Sequence, residues 1–186
     1  GIVSLILIIV TFSIISKSIY EKLYINGNNE NNIKRSILKI QGKDTSDFEN
    51  TDIIKTIHLD EELFVIYKNN FEWGVAEFGK NKNGDYKIEY LEYGYIDEIN
   101  FYFTSGINNN SDQYLIAYGD GKNIYFSRVD IGINNNYIPI SIPKEEFVEV
   151  IKVNQYSNDN GYRFTYKYYD VNGKVISEYW NVNLIK

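Results

Sequence analysis

From residue 53 onward the chain alternates short β-branched and aromatic runs with breaks rich in Asn and Gly, and this punctuation limits the fold more than any single motif. Leu63–Tyr67 is a compact apolar run that reads as a strand buried on both faces. Asn69-Asn70 turns the chain into Phe71–Phe78, where Phe71, Trp73 and Val75 alternate. Asn83-Gly84 is a hairpin signal into Tyr86, Ile88 and Tyr90, with Lys87 and Glu89 on the other face. Phe101 and Phe103 share a face of the next strand. Tyr114–Tyr118 and Ile124–Val129 flank Asp120-Gly121, which reads as another hairpin. Ile138–Ile142 follows Asn134-Asn135-Asn136 and stops at Pro143. Glu145–Val153 fits a helical turn, from Pro143 and Glu145-Glu146, or a strand, from its valines. Phe164, Tyr166 and Tyr168 alternate with Arg163, Thr165 and Lys167, and Asn172-Gly173 then turns the chain into Val175–Trp180.

Composition agrees with this pattern. Alanine occurs only as Ala76 and Ala117, while Ile, Tyr and Asn are abundant. Such a chain favours strands and turns over regular helices. The expected fold is mainly β, an antiparallel sandwich or curved sheet over residues 53–186. Phe64–Phe78 and Leu115–Val129 read alike, and ordinary hairpin patterning accounts for the likeness without an internal repeat.

A different environment is expected at the start. Ile2–Ile15 is apolar apart from Ser4, Thr11 and Ser13, and Lys17 ends the run. Its length falls short of the roughly 20 residues of a full span. A transmembrane signal-anchor helix over residues 1–25 is the favoured expectation. A cleavable signal peptide, with Ser16 and Ser18 before Ile19, and a buried soluble helix are the alternatives. Lys17 and Lys22 alone would place the body in the cytoplasm; the expectation adopted is the cell membrane with an extracytoplasmic body. Residues 26–52 read as a polar linker, in which Ile33, Ile37, Leu38 and Ile40 outline a short amphipathic helix. Residues 1–43 carry +4, leaving −10 for the rest of a chain whose net charge is −6.

Several chemistries are excluded by composition. The chain has no cysteine, which removes disulfides, thiolate nucleophiles, cysteine zinc sites and a cysteine lipid anchor. A single histidine, His58, removes sites built on two or three imidazoles. Acidity argues against nucleic acid as a partner. No cofactor or metal is expected.

Segments of the body resemble uncharacterised exported or membrane-anchored small β-rich proteins of low-GC Gram-positive bacteria. They are Ile57-His58-Leu59 with Leu63-Phe64-Val65-Ile66-Tyr67, Trp73-Gly74-Val75-Ala76-Glu77-Phe78, Tyr118-Gly119-Asp120 leading to Ile124, and Tyr162-Arg163-Phe164 with Tyr169-Asp170-Val171-Asn172-Gly173-Lys174-Val175-Ile176. The resemblance implies an export segment and an extracytoplasmic β body, and no activity.

Catalytic readings are weighed residue by residue. His58 beside Asp60 and Glu62 has the residue types of a base, yet no nucleophile motif accompanies it; an exposed strand-edge histidine is the ordinary account. Gly119-Asp120-Gly121-Lys122 lacks the spacing of a phosphate loop. Asn158-Asp159-Asn160-Gly161 would place Tyr156 and Lys167 at the first and last calcium-ligand positions, so that motif fails. The carboxylate pairs Glu72/Glu77, Glu89/Glu92 and Asp97-Glu98 read as solvated faces. Tyrosine is the positive hint, because it gives contact area at little entropic cost. Tyr86, Tyr90, Tyr93, Tyr95, Tyr166 and Tyr168 are the candidate binding surface, against core and cross-strand packing as the ordinary alternative. The expected function is a noncatalytic, membrane-anchored module that binds a protein or envelope component. A tethered immunity or inhibitor protein for a basic partner, and a small envelope hydrolase using paired carboxylates, are the alternatives.

Overall fold

A computed structural model describes residues 24–43, 47–59, 61–96, 98–104, 112–157 and 161–185, with side chains up to Glu178. The anchor expected over residues 1–25 lies almost wholly outside these residues, as do Asp97 and the loop 158–160. Among the described residues no helix is long and apolar enough to cross a membrane. The chain is mainly β and antiparallel, and it falls into two compact units that meet between Tyr93 and Gly94. Sequence patterning showed no such boundary, because β4 runs through it without a turn signal.

The first unit contains helix α1 (Glu30–Gln41), strands β1 (Asp52–Leu59), β2 (Glu62–Lys68) and β3 (Glu72–Lys80), and β4 (Tyr86–Tyr95) as far as Tyr93, paired in the order β1-β2-β3-β4. Helix α1 lies in the stretch read as linker, and local chemistry sets both its ends. The Asn29 side chain accepts from the Asn32 N–H at 3.1 Å. Gly42 takes φ 69°, its N–H donates to the Lys39 carbonyl, and the Lys43 N–H donates to that of Leu38, which is a Schellman stop. Ile33 and Ile37 pack with Leu63, Val65, Tyr67, Ala76, Phe78 and Tyr86. Leu63 through Tyr67 are all 0% exposed, as an apolar run without alternation predicts. The Asn83-Gly84 hairpin forms, with Gly84 at φ 87°.

The second unit holds two sheets. One has the order β5-β6-β9, from β5 (Asn100–Phe103), β6 (Tyr114–Asp120) and β9 (Glu146–Lys152). The other has the order β11-β10-β7-β8, from β7 (Arg128–Ile133), β8 (Asn136–Ser141), β10 (Tyr162–Tyr169) and β11 (Val175–Ile185). Both contribute to one core, through Leu115, Ala117 and Phe147 from the first and Val129, Ile131 and Phe164 from the second. This unit is a small sandwich, the fold class expected. Glu146–Lys152 is the strand of the two readings offered for that stretch.

Asp120-Gly121 does not form the hairpin expected of it. β6 pairs only with β5 and β9, and the chain crosses to the other sheet before β7 begins at Arg128, so Ile124–Ser127 are not strand. The Asn123 N–H closes a local turn on the Asp120 carbonyl at 3.1 Å, and the turn is also held at long range. Gly121 donates to the Glu145 carbonyl at 3.0 Å, and a Cβ on Gly121 would stand 1.6 Å from the Pro143 oxygen. For the same reason Leu115–Val129 is no counterpart of the β2–β3 hairpin.

The hairpin between β7 and β8 turns on Asn134 and Asn135, at φ 48° and 69°. Paired positive φ values mark a tight hairpin turn that usually takes glycine. Asn134 repays the backbone cost through its side chain. Its amide donates to the carbonyls of Tyr156 and Gly161 at 2.7 and 2.8 Å, and its oxygen accepts the Arg163 N–H at 2.9 Å. Asn134→Ala loses all three bonds and should cost about 2–3 kcal/mol in urea unfolding. Asn134→Gly relieves the backbone but not the bonds, so it should fall between Ala and the native residue. Equal stability of all three would remove Asn134 from this role.

Candidate functional site

The six candidate tyrosines separate by unit and by burial. Tyr86 is a core residue at 8% exposure. Tyr90, Tyr93 and Tyr95 are exposed along the later part of β4. Tyr166 and Tyr168 lie in the second unit, packed against its core. The Tyr166 ring stacks on Phe101 at 4.5 Å, and burial pushes its hydroxyl up to about 12. The Tyr168 ring meets Phe126 edge-on at 4.6 Å. The ordinary account of tyrosine as packing material therefore describes Tyr86, Tyr166 and Tyr168, and the structure does not group them with the β4 residues.

β4 is an edge strand. Among the described residues its outer side pairs at one place, where Tyr86 exchanges two backbone hydrogen bonds with Ile25 at 2.7 and 2.8 Å. Beyond that point its side chains border an open groove of about 420 Å³, shared with the C-terminal end of α1. Ile40, Glu72, Glu89, Tyr90, Leu91 and Tyr93 contribute to its lining. Ile40 is 55% exposed, so the groove offers apolar surface to solvent beside the polar and charged Gln41, Lys43, Glu72 and Glu89. The Tyr90 hydroxyl stands 3.4 Å from a Glu92 carboxylate oxygen. Burial first, then the charge and acceptor of Glu92, raise its proton affinity above that of an ordinary tyrosine.

At the helix end of the groove sits a polar cluster that sequence reasoning did not find. Oε1 of Glu72 accepts from Lys43 at 2.6 Å, Gln41 at 2.8 Å and Asn69 at 2.9 Å. Gln41 also donates to the Tyr67 hydroxyl at 2.9 Å. Asn69 receives the N–H groups of Phe71 and Glu72, which fixes the β2–β3 turn. Asn69-Asn70 was a visible turn signal. Gln41 and Lys43 were not, because they arrive from another element.

This cluster shows what Glu72 does. Burial alone would raise its carboxyl, but the donors Lys43 and Asn69, the Lys43 charge and Gln41 together hold it below its ordinary value of 4.5. Its role is to tie α1 to the sheet. It also stands five positions from Glu77 on a regularly paired strand, so the two carboxylates face opposite sides of β3. They are not a pair across a cleft. His58 is exposed on edge strand β1, with its ring edge to face with Tyr86 at 6.4 Å. No group of three metal-binding side chains occurs among the described residues.

No family model, curated protein or solved structure matches the chain.

A depressed carboxyl supplies stability above its unfolded value, and that contribution is lost as pH falls through the folded one. The native chain should therefore exceed Glu72→Gln by about 1 kcal/mol at neutral pH. The gap should stay constant down to roughly pH 5 and close below roughly pH 4. Urea unfolding of both proteins across that range checks this, and a gap that persists at pH 3 contradicts the assignment.

Proposed function

We propose that the chain is a noncatalytic, membrane-anchored binding module at the cell envelope, with an extracytoplasmic body that takes a protein or envelope component beside β4. The observation that carries this reading is the pair of exposed tyrosines, Tyr90 and Tyr93, on an edge strand that borders a groove with Ile40 and Leu91 in its lining. Exposed aromatic side chains on an edge strand suit an extended partner segment that lies along the sheet. The apolar run Ile2–Ile15 and the basic stem after it support membrane attachment. Glu89 and Glu92 beside the tyrosines favour a second reading, an immunity or inhibitor protein for a basic partner.

Two measurements test the proposal. Protease added to intact cells should digest the body without lysis; protection until lysis would put the body in the cytoplasm and end the envelope reading. Retention on an envelope fraction should fall about tenfold or more for Tyr90→Ala/Tyr93→Ala, as for paired aromatic anchors. Tyr125→Ala, at another exposed tyrosine, should leave retention unchanged. Equal retention of all three proteins would remove β4 from binding. Loss of retention in 0.5 M salt would favour the basic-partner reading.

A further inference from the structure

A second groove of about 670 Å³ lies on another side of α1, between the helix and Phe48. Its chemistry differs from that of the β4 groove. Arg35 and Lys39 stand one turn apart on the helix and line it. Lys43, a further turn on, gives its ammonium to Glu72. The floor is apolar. Leu38 is 4% exposed, and the Phe48 ring lies beneath Lys34 and Arg35, whose charged ends are 5.7 and 5.9 Å from its centroid. Glu49 is the one acidic residue among the described lining. A cationic rim over an apolar floor is unexpected in a chain of net charge −6.

We propose that this groove seats the anionic headgroup of a membrane phospholipid, with Arg35 and Lys39 on its charge and the part-exposed Phe48 under its apolar part. A free anion would use the two cations and leave the exposed part of Phe48 uncovered; a phospholipid uses both. The apolar run Ile2–Ile15 ends nine residues before Tyr24, next to the Ile25–Tyr86 bridge, a reach of at most roughly 30 Å of extended chain, so a membrane holding that run lies close to the first unit. The inference rests on the membrane attachment proposed above. Anionic surfaces draw basic side chains by about a fivefold gain in binding for each Lys or Arg.

The absence of native cysteine allows a single label on the full chain. Glu49→Cys, at an exposed position in the lining of this groove, carries an environment-sensitive fluorophore. The labelled chain is mixed with neutral phosphatidylcholine vesicles, with vesicles containing phosphatidylglycerol, and with inorganic phosphate alone. Co-sedimentation with neutral vesicles tests the attachment reading by itself. The expected result is a blue shift with anionic vesicles only, lost at about 1 M salt. In Arg35→Gln/Lys39→Gln, half-maximal shift should require roughly thirtyfold more anionic lipid, with neutral co-sedimentation unchanged. The same shift in neutral and anionic vesicles overturns the proposal. A shift reproduced by phosphate alone also overturns it, in favour of a free-anion site. Failure to sediment with neutral vesicles, with the anionic shift intact, overturns the attachment reading and leaves the headgroup site standing.

Discussion

Strand β2 cannot meet water on either face. Leu63, Val65 and Tyr67 point to one side and Phe64 and Ile66 to the other, and all five are inaccessible. The strand must therefore be internal to its sheet, and one face needs an amphipathic cover. Helix α1 supplies that cover with Ile33 and Ile37. Burial of this kind stabilises by roughly 1.5–3 kcal/mol for each large side chain, more than a surface ion pair such as Lys34–Glu30 returns. The helix end is then fastened by Gln41 and Lys43 to Glu72, and that junction forms one end of the groove beside β4. The candidate site thus follows from the need to cover one apolar strand.

The second unit solves the same problem with two sheets in place of a helix. Rings of both sheets meet within it, as Phe103 does with Phe164 at 5.3 Å and Phe101 with Tyr166 at 4.5 Å. Aromatic pairs at these separations add to the area they bury. Tyr102, Tyr118 and Tyr162 are buried in this unit, while Tyr125 and Tyr137 stay exposed as the β4 tyrosines do.

Strands were legible where the pattern is local. The β10–β11 hairpin was readable from clean alternation and Asn172-Gly173, where Gly173 sits at φ 78° and Asp170 accepts the Asn172 and Lys174 N–H groups. Helix α1 was visible in its apolar spacing, and its caps at Asn29 and Gly42 extend it beyond Ile33–Ile40 at both ends. What failed depends on partners remote in sequence. Asp120-Gly121 makes its local turn, yet the chain after it enters another sheet, with Gly121 bonded to the Glu145 carbonyl and crowded by Pro143. Asn134-Asn135 makes a tight hairpin without glycine, because partners more than twenty residues away hold the Asn134 side chain. Within the site, tyrosine content was legible and tyrosine exposure was not. Tyr86 and Tyr90 occupy one strand, yet one is core and the other surface. Gln41, Lys43 and Glu72 gave no joint signal, since their meeting is a product of the fold.

The pair of hydrogen bonds between Ile25 and Tyr86 also has a mechanical meaning. All chain that precedes residue 24 enters the described body through this point, ahead of α1. Tension applied from that side therefore falls early on two backbone bonds at the end of an edge strand. Their rupture would pass the load to the Asn26–Asn29 turn, where Gly27 packs on Tyr86 and Leu63, and then to the Asn29 cap of α1. The first unit would then yield in steps that begin at its helix, while the doubly buried strand β2 would be reached last.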